Sequence, residues 1–230
     1  MNTIRLLGAA QLLVFVGGVI SLQLHERVVG SGSISDKLVN ISNNLTLWRI
    51  SNLVTLLECL VIVVLGVLFY IVFYEQYKII SLVALGCFLA EAITLAVSKI
   101  GLFALSPLSV EFVEAGAPAA SYYQTLGDFL YYGVYQQGDN IHMLFFCLGG
   151  ILWYYLFYRS RYIPRVLSVW GLATVCPLLI ITLLVLYDRD LDPVMRSFPV
   201  MIMLAPYFVF EALIGPWLMV KGIRDGSETE

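Results

Sequence analysis

Six stretches of this chain are apolar for long enough to cross a bilayer, and no other feature constrains its fold as strongly. They run over 4–24, 53–74, 79–104, 141–158, 166–187 and 198–220. A hydrocarbon core of about 30 Å takes about 20 residues of α-helix. The expected fold is therefore all-α: one polytopic domain over residues 1–230, a bundle of six transmembrane helices. Composition agrees, since 60% of residues are hydrophobic and 13% charged, against about 25% charged in a soluble domain. That balance excludes a cytosolic globular enzyme, a disordered chain and a disulfide scaffold. The net charge of −3 gives no electrostatic reason to bind nucleic acid. The first stretch is too long for a signal-peptide core and no A-x-A cleavage pattern follows it, so it reads as a retained span.

Orientation follows from lysine and arginine in short connections. The fourth connection, Arg159-Ser160-Arg161-Tyr162-Ile163-Pro164-Arg165, holds three arginines and no acid. It belongs in the cytoplasm of a cell membrane, and alternation then places both termini there. The inner side carries seven bases and four acids, +3 in all, and the outer side carries six bases and nine acids, −3. Both long connections fall outside. The first, 25–52, contains the sequons Asn40-Ile41-Ser42 and Asn44-Leu45-Thr46, which in a Ser/Asn-rich loop chance explains more readily than selection for a glycan. The second, 105–140, is broken by Pro107, Gly116 and Pro118 and then becomes rich in tyrosine: Tyr122, Tyr123, Tyr131, Tyr132 and Tyr135. Residues 121–137 read as an amphipathic helix at the outer interface that bends near Gly138 into the fourth span. Its tyrosines suit either interfacial anchoring or an aromatic ligand wall. Cys59, Cys87, Cys147 and Cys176 all lie within spans, as small packing residues.

The second half carries a recognisable pattern. A glycine-containing span ends in Tyr158-Arg159-Ser160, followed by Tyr162-Ile163 and Pro164-Arg165-Val166. Leu89-Ala90-Glu91-Ala92 places an acid in the third span, and Phe210-Glu211-Ala212 precedes Trp217-Leu218-Met219-Val220-Lys221-Gly222 in the last. In these motifs and their order the chain resembles the bacterial membrane family called domain of unknown function 4386, over most of its length after residue 45. The resemblance implies the fold and carries no activity. The chain departs from the family where a histidine often opens the fourth span: Tyr135 stands there, and His142 comes seven residues later.

Ionisable residues at membrane depth bear most on function. Glu58 lies in the outer third of span two, Glu91 near the middle of span three and Glu211 near the middle of span six. A charge there costs at least about 2.5–3.5 kcal/mol. There is no deep lysine or arginine to neutralise them: the closest in sequence, Arg49 and Lys99, are about 12–13 Å from Glu58 and Glu91 by helical rise. Each acid must therefore be protonated, hydrogen-bonded, hydrated or bound to a cation. Ala84, Cys87, Glu91, Thr94 and Ser98 form one small-and-polar stripe, and Ser51, Thr55 and Glu58 form another. Tyr207 sits one turn before Glu211, and Pro206 and Pro216 bracket that acid. Asp139 and His142 share a face at the outer end of span four.

These residues suggest an outward-opening polar cavity among spans two, three, four and six, lined by Glu58, Glu91, His142, Tyr207 and Glu211. The expected occupant is a membrane lipid or a small hydrophobic, amphipathic ligand. An intramembrane metal-dependent hydrolase is the second reading, since acids and one histidine are metal-ligand types, although no H-E-x-x-H pattern occurs. A structural or partner-binding subunit, packing through Gly149-Gly150, is the third. Cofactor, transport and homo-oligomerisation stay open. The topology is directly testable. Ser35→Cys should react with a membrane-impermeant maleimide applied to intact cells, and Ser227→Cys should react only after lysis; the reverse pattern overturns the orientation.

Overall fold

The computed structural model describes residues 3–119, 122–195 and 197–222. Every regular element among them is helical: α1 (Thr3–Val29), α2 (Ile34–Asn43), α3 (Leu45–Glu114), α4 (Tyr122–Asp128), a π-helix (Phe129–Gln136), α5 (Gln137–Ser160), α6 (Arg165–Tyr187), a 3₁₀ turn (Arg189–Leu191), α7 (Asp192–Met195) and α8 (Phe198–Lys221). Five helical runs are long and apolar enough to cross a membrane. One of them, α3, has 70 residues and would reach about 105 Å if straight, over three bilayer cores. It is not straight, because Tyr77 leaves helical geometry at φ −139° and ψ 46°. The break falls between the second and third apolar stretches, so α3 holds both, and the chain is a multi-pass helical membrane protein.

The two limbs of α3 fold back on one another about Tyr77. Gly66 faces Phe88 and Leu85, eleven and eight residues beyond the break, and a Cβ on Gly66 would come within 2.8 Å of the Phe88 Cβ. Further out, the Trp48 indole N–H donates to the Leu102 carbonyl at 3.1 Å. A small residue at the crossing lets the backbones approach, as packing in membranes requires.

The chain divides into two compact units, one of Met1–Phe15, Leu60–Ala92 and Asn140–Glu230, the other of Val16–Cys59 and Ile93–Asp139. In the first, aromatic rings join the α3 hairpin to α5. Phe69 stacks on Trp153 at 4.6 Å, and Phe73 meets Phe157 edge-on at 5.2 Å and Tyr162 at 5.4 Å. The Gly149-Gly150 pair is used within the chain: Gly149 faces Cys87, and Gly150 faces Val175.

The second unit is built on Val28, Leu38, Ile41, Trp48, Leu102, Leu105 and Phe112, all buried. Its α2 starts with a capping box. The Asp36 N–H donates to Ser33 Oγ at 3.3 Å, and the Ser33 N–H donates to Asp36 Oδ2 at 2.8 Å. Hydrogen bonds from Ser33 hold the Asp36 carboxyl below its usual range. Both sequons have structural uses. Asn40 Nδ2, the nitrogen that a glycan would occupy, donates to the Val29 carbonyl at 3.0 Å, and Asn44 Nδ2 donates to the Asn40 carbonyl at 3.0 Å. The tyrosine-rich segment is helical, but it enters α5 through the π-helix without a break at Gly138. Gly138 instead lets α5 close on Ser98, whose Cβ would stand 2.7 Å from any Cβ added there.

The hairpin crossing gives a stability test. Gly66→Ala should lose about 1–3 kcal/mol to overpacking, read as a lowered thermal midpoint in detergent. Gly86→Ala, where an added Cβ meets nothing within 4 Å, should be neutral or slightly stabilising. Equal midpoints for the two variants would refute the close crossing.

Candidate functional site

Glu211 lies in the middle of α8, between Pro206 and Pro216. Its residue is 5% exposed, so whatever satisfies the carboxylate must come from protein. Two long-range donors do so: the Gln11 side-chain N–H from α1 donates to Oε2, and the Tyr154 hydroxyl from α5 donates to Oε1. Tyr207, one turn earlier on α8, also hydrogen-bonds the carboxyl. Of the four options open to a buried acid, Glu211 takes hydrogen bonding.

Small residues make this convergence sterically feasible. On α1 and α8, a Cβ on Gly8 would sit 2.6 Å from the Gly215 carbonyl oxygen, so the two backbones meet closely enough to bring Gln11 to Glu211. On α6, a Cβ on Gly171 would stand 2.7 Å from the Tyr154 ring, which lies flat against that glycine. Phe210 then packs edge-on against Tyr154 at 5.1 Å and against Trp170 at 5.5 Å. One carboxyl thus links α1, α5 and α8, and through Tyr154 reaches α6.

The other predicted residues fall as follows. Glu91 is 3% exposed and lies within electrostatic reach of Cys87 on its own limb and Cys147 on α5, so it faces the interior of the first unit. His142 is half-buried near the start of α5. Glu58 belongs to the second unit, where its side chain packs over Gly17 and Gly18 of α1. The Ser51–Thr55 face beside it docks on the same helix. Ser51 Oγ donates to the Ser21 carbonyl at 3.2 Å, and the Thr55 and Ser21 hydroxyls are hydrogen-bonded to each other.

The sequence argument that no base lies near these acids needs correction. Lys99 is 5% exposed and acts electrostatically on both Glu58 and Asp139. Helical rise measures reach along one helix only, whereas the hairpin brings the second limb back beside the first. Lys99 also lies over the Tyr135 ring at 4.7 Å, and Lys37 lies over Tyr131 at 5.2 Å. Between those tyrosines sits His25, not in a loop but in the last turns of α1. Its Nε2 is 3.2 Å from the Tyr131 hydroxyl, and its ring packs 5.4 Å from Trp48 and 5.1 Å from Tyr135. Tyr131 and Tyr135 therefore enclose a buried histidine.

Sequence reading overlooked Gln11 and Tyr154, set Lys99 aside as too distant, and placed His25 in the outer connection. Gln11 alone had a local signal, as the one amide side chain inside 4–20. Among the described residues, no group of three His, Cys, Asp or Glu side chains is placed to hold a metal. A cavity of about 370 Å³ opens between α6 and α8, with Leu167, Trp170, Phe210, Leu213, Ile214, Pro216, Trp217, Val220 and Lys221 around it. Lys221 is the one charged residue of that lining, and none of the five residues proposed from sequence belongs to it.

A model of the family described as "Domain of unknown function (DUF4386)" matches residues 6–222. No curated protein and no solved structure matches the chain.

The Glu211 cluster is open to a paired substitution. Glu211→Gln should leave the thermal midpoint nearly unchanged, because Gln11 can turn its amide and a tyrosine hydroxyl can accept as well as donate. Glu211→Leu should cost about 1–3 kcal/mol for each buried partner left unpaired, and chiefly Gln11 and Tyr154 would be. Equal stability of the Gln and Leu variants would show that the hydrogen bonds contribute nothing.

Proposed function

We propose that this chain, which belongs to the DUF4386 family, binds an amphipathic, lipid-like ligand within the membrane, its tail held between α6 and α8. The observation that carries the reading is the 370 Å³ cavity, whose walls are apolar apart from Lys221. Small-molecule sites are concave, mainly apolar and marked by a few polar groups, and span roughly 300–1,000 Å³. A tail with one polar end suits such a lining better than a polar solute does. Of the five residues drawn from sequence, Tyr207 and Glu211 carry the reading furthest, because they interact directly and Phe210 beside them forms a cavity wall. Their role in this reading is to fix the wall. Glu91 and His142, in the same unit as the cavity, remain candidates for a polar part of the ligand site.

We place the arginine loop at 159–165 and both termini in the cytoplasm, on the bias of lysine and arginine. A purely structural role has one observation in its favour: the Glu211 carboxyl is fully engaged with protein donors. The metal-dependent hydrolase has no such support among the described residues.

Blocking the cavity separates ligand binding from the structural role. Leu213 lines the cavity and is 53% exposed, so Leu213→Trp should fill the space without disturbing the core. Native mass spectrometry of the purified wild-type protein should show a retained amphiphile. The variant should lose it and keep its thermal midpoint. No retained amphiphile in the wild type, or equal retention in both, would overturn the reading.

A further inference from the structure

The cavity between α6 and α8 has a chemically distinct end. Leu167 stands near the start of α6, and Val220 and Lys221 end α8, so the first turn of one helix meets the last turn of the other at this mouth. Arg165, the first residue of α6, is exposed two residues before Leu167, its guanidinium 5.3 Å above the Tyr158 ring. Exposed Arg159 lies in the last turn of α5, and exposed Arg161 in the adjoining connection. The same end of the first unit gathers more charge. Tyr162 packs on Phe73, close in sequence to Lys78 at the α3 break, and Gly8 packs on Leu218, close to Arg5 at the start of α1. Among the described residues this end holds six bases, Arg5, Lys78, Arg159, Arg161, Arg165 and Lys221, against the single acid Glu75.

An apolar slot that opens at a basic edge fits one occupant. We propose that the cavity takes an acyl chain of an anionic phospholipid from the surrounding bilayer, and that Lys221 and Arg165 bind its headgroup phosphate. This deepens the reading above and rests on it. The walls favour a chain: Trp170 and Trp217 supply flat, rigid area, and Phe210, Leu213 and Ile214 close the space. The charge selects the head. A zwitterionic lipid offers the same tail but carries its own ammonium group into a region already rich in cations, whereas an anionic lipid brings net negative charge. Lysine or arginine near a membrane surface is worth about a fivefold gain toward anionic lipid for each residue.

The tryptophans of the wall report occupancy. The full chain would be reconstituted in dioleoyl-phosphatidylcholine vesicles containing a small fraction of acyl-brominated lipid, either phosphatidylglycerol or phosphatidylcholine. Bromine quenches tryptophan at contact, and the difference between the wild type and Trp217→Phe isolates the cavity signal. Brominated phosphatidylglycerol should quench that signal with about fivefold or greater preference over brominated phosphatidylcholine. Lys221→Gln/Arg165→Gln should bring phosphatidylglycerol quenching down to the phosphatidylcholine level, and Lys221→Arg should keep the preference. Arg159→Gln/Arg161→Gln should retain most of it; an equal loss there would mean diffuse attraction to the surface and overturn the site. Equal quenching by both lipids in the wild type, abolished by Leu213→Phe, which narrows the cavity without adding a fluorophore, would overturn the anionic preference and leave lipid binding standing. Quenching that Leu213→Phe does not alter would remove lipid binding in the cavity, and the anionic site with it. Thermal midpoints of all variants, whose changed charges are exposed, control for folding.

Discussion

A carboxyl group inside a membrane bundle must find its hydrogen-bond donors in protein, and in the first unit that requirement fixes where the helices stand. Glu211 draws Gln11 from α1 and Tyr154 from α5 onto one side chain. Lipid offers helices no hydrophobic reason to associate, so close packing and interhelical hydrogen bonds hold them together. Both operate around this residue. Gly8 and Gly215 let two backbones meet, and Gly171 seats the Tyr154 ring. The polar cluster then supports apolar architecture, because Phe210 leans on Tyr154 and Trp170 and forms one wall of the cavity beside α6.

The second unit solves its polar burial differently. Two lysines direct their ammonium groups at tyrosine faces, an arrangement worth about 0.5–2 kcal/mol depending on desolvation, and both tyrosines come from the π-helix. The wider turn of a π-helix appears where side chains must be re-aimed, often at functional sites. Here it presents Tyr131 and Tyr135 together to His25. Lys99 adds charge compensation for Glu58 and Asp139. This unit therefore buries opposite charges and aromatic rings together, whereas the Glu211 cluster is built from neutral donors.

The middle and the last turn of α8 divide its labour. Its middle is held by hydrogen bonds, and its last turn leaves Lys221 at the mouth of an apolar space. Proline at 206 and 216 removes backbone donors from an otherwise regular helix. It does so on either side of Glu211, the one carboxyl in that span.

The sequence by itself determined the number and length of the apolar stretches, the break between the second and third, and the burial of Glu91 and Glu211. Each depends on composition within about 20 residues or on the cost of a charge in lipid. The resemblance carried by Tyr158-Arg159-Ser160 and Phe210-Glu211-Ala212 agrees with the family match, since motifs are likewise local. Only the tertiary structure decided which groups meet. Gln11 and Glu211 are 200 residues apart, and Tyr154 and Glu211 are 57 apart, so no helical spacing could pair them. Spacing in sequence measures Lys99 only against Glu91 on its own limb, and distance along a helix ignores the hairpin that brings it within electrostatic reach of Glu58. The cavity lies between two spans whose facing residues are merely apolar in sequence, and an empty space between apolar surfaces leaves no pattern in either strand of text, because it is set by how closely two helices approach.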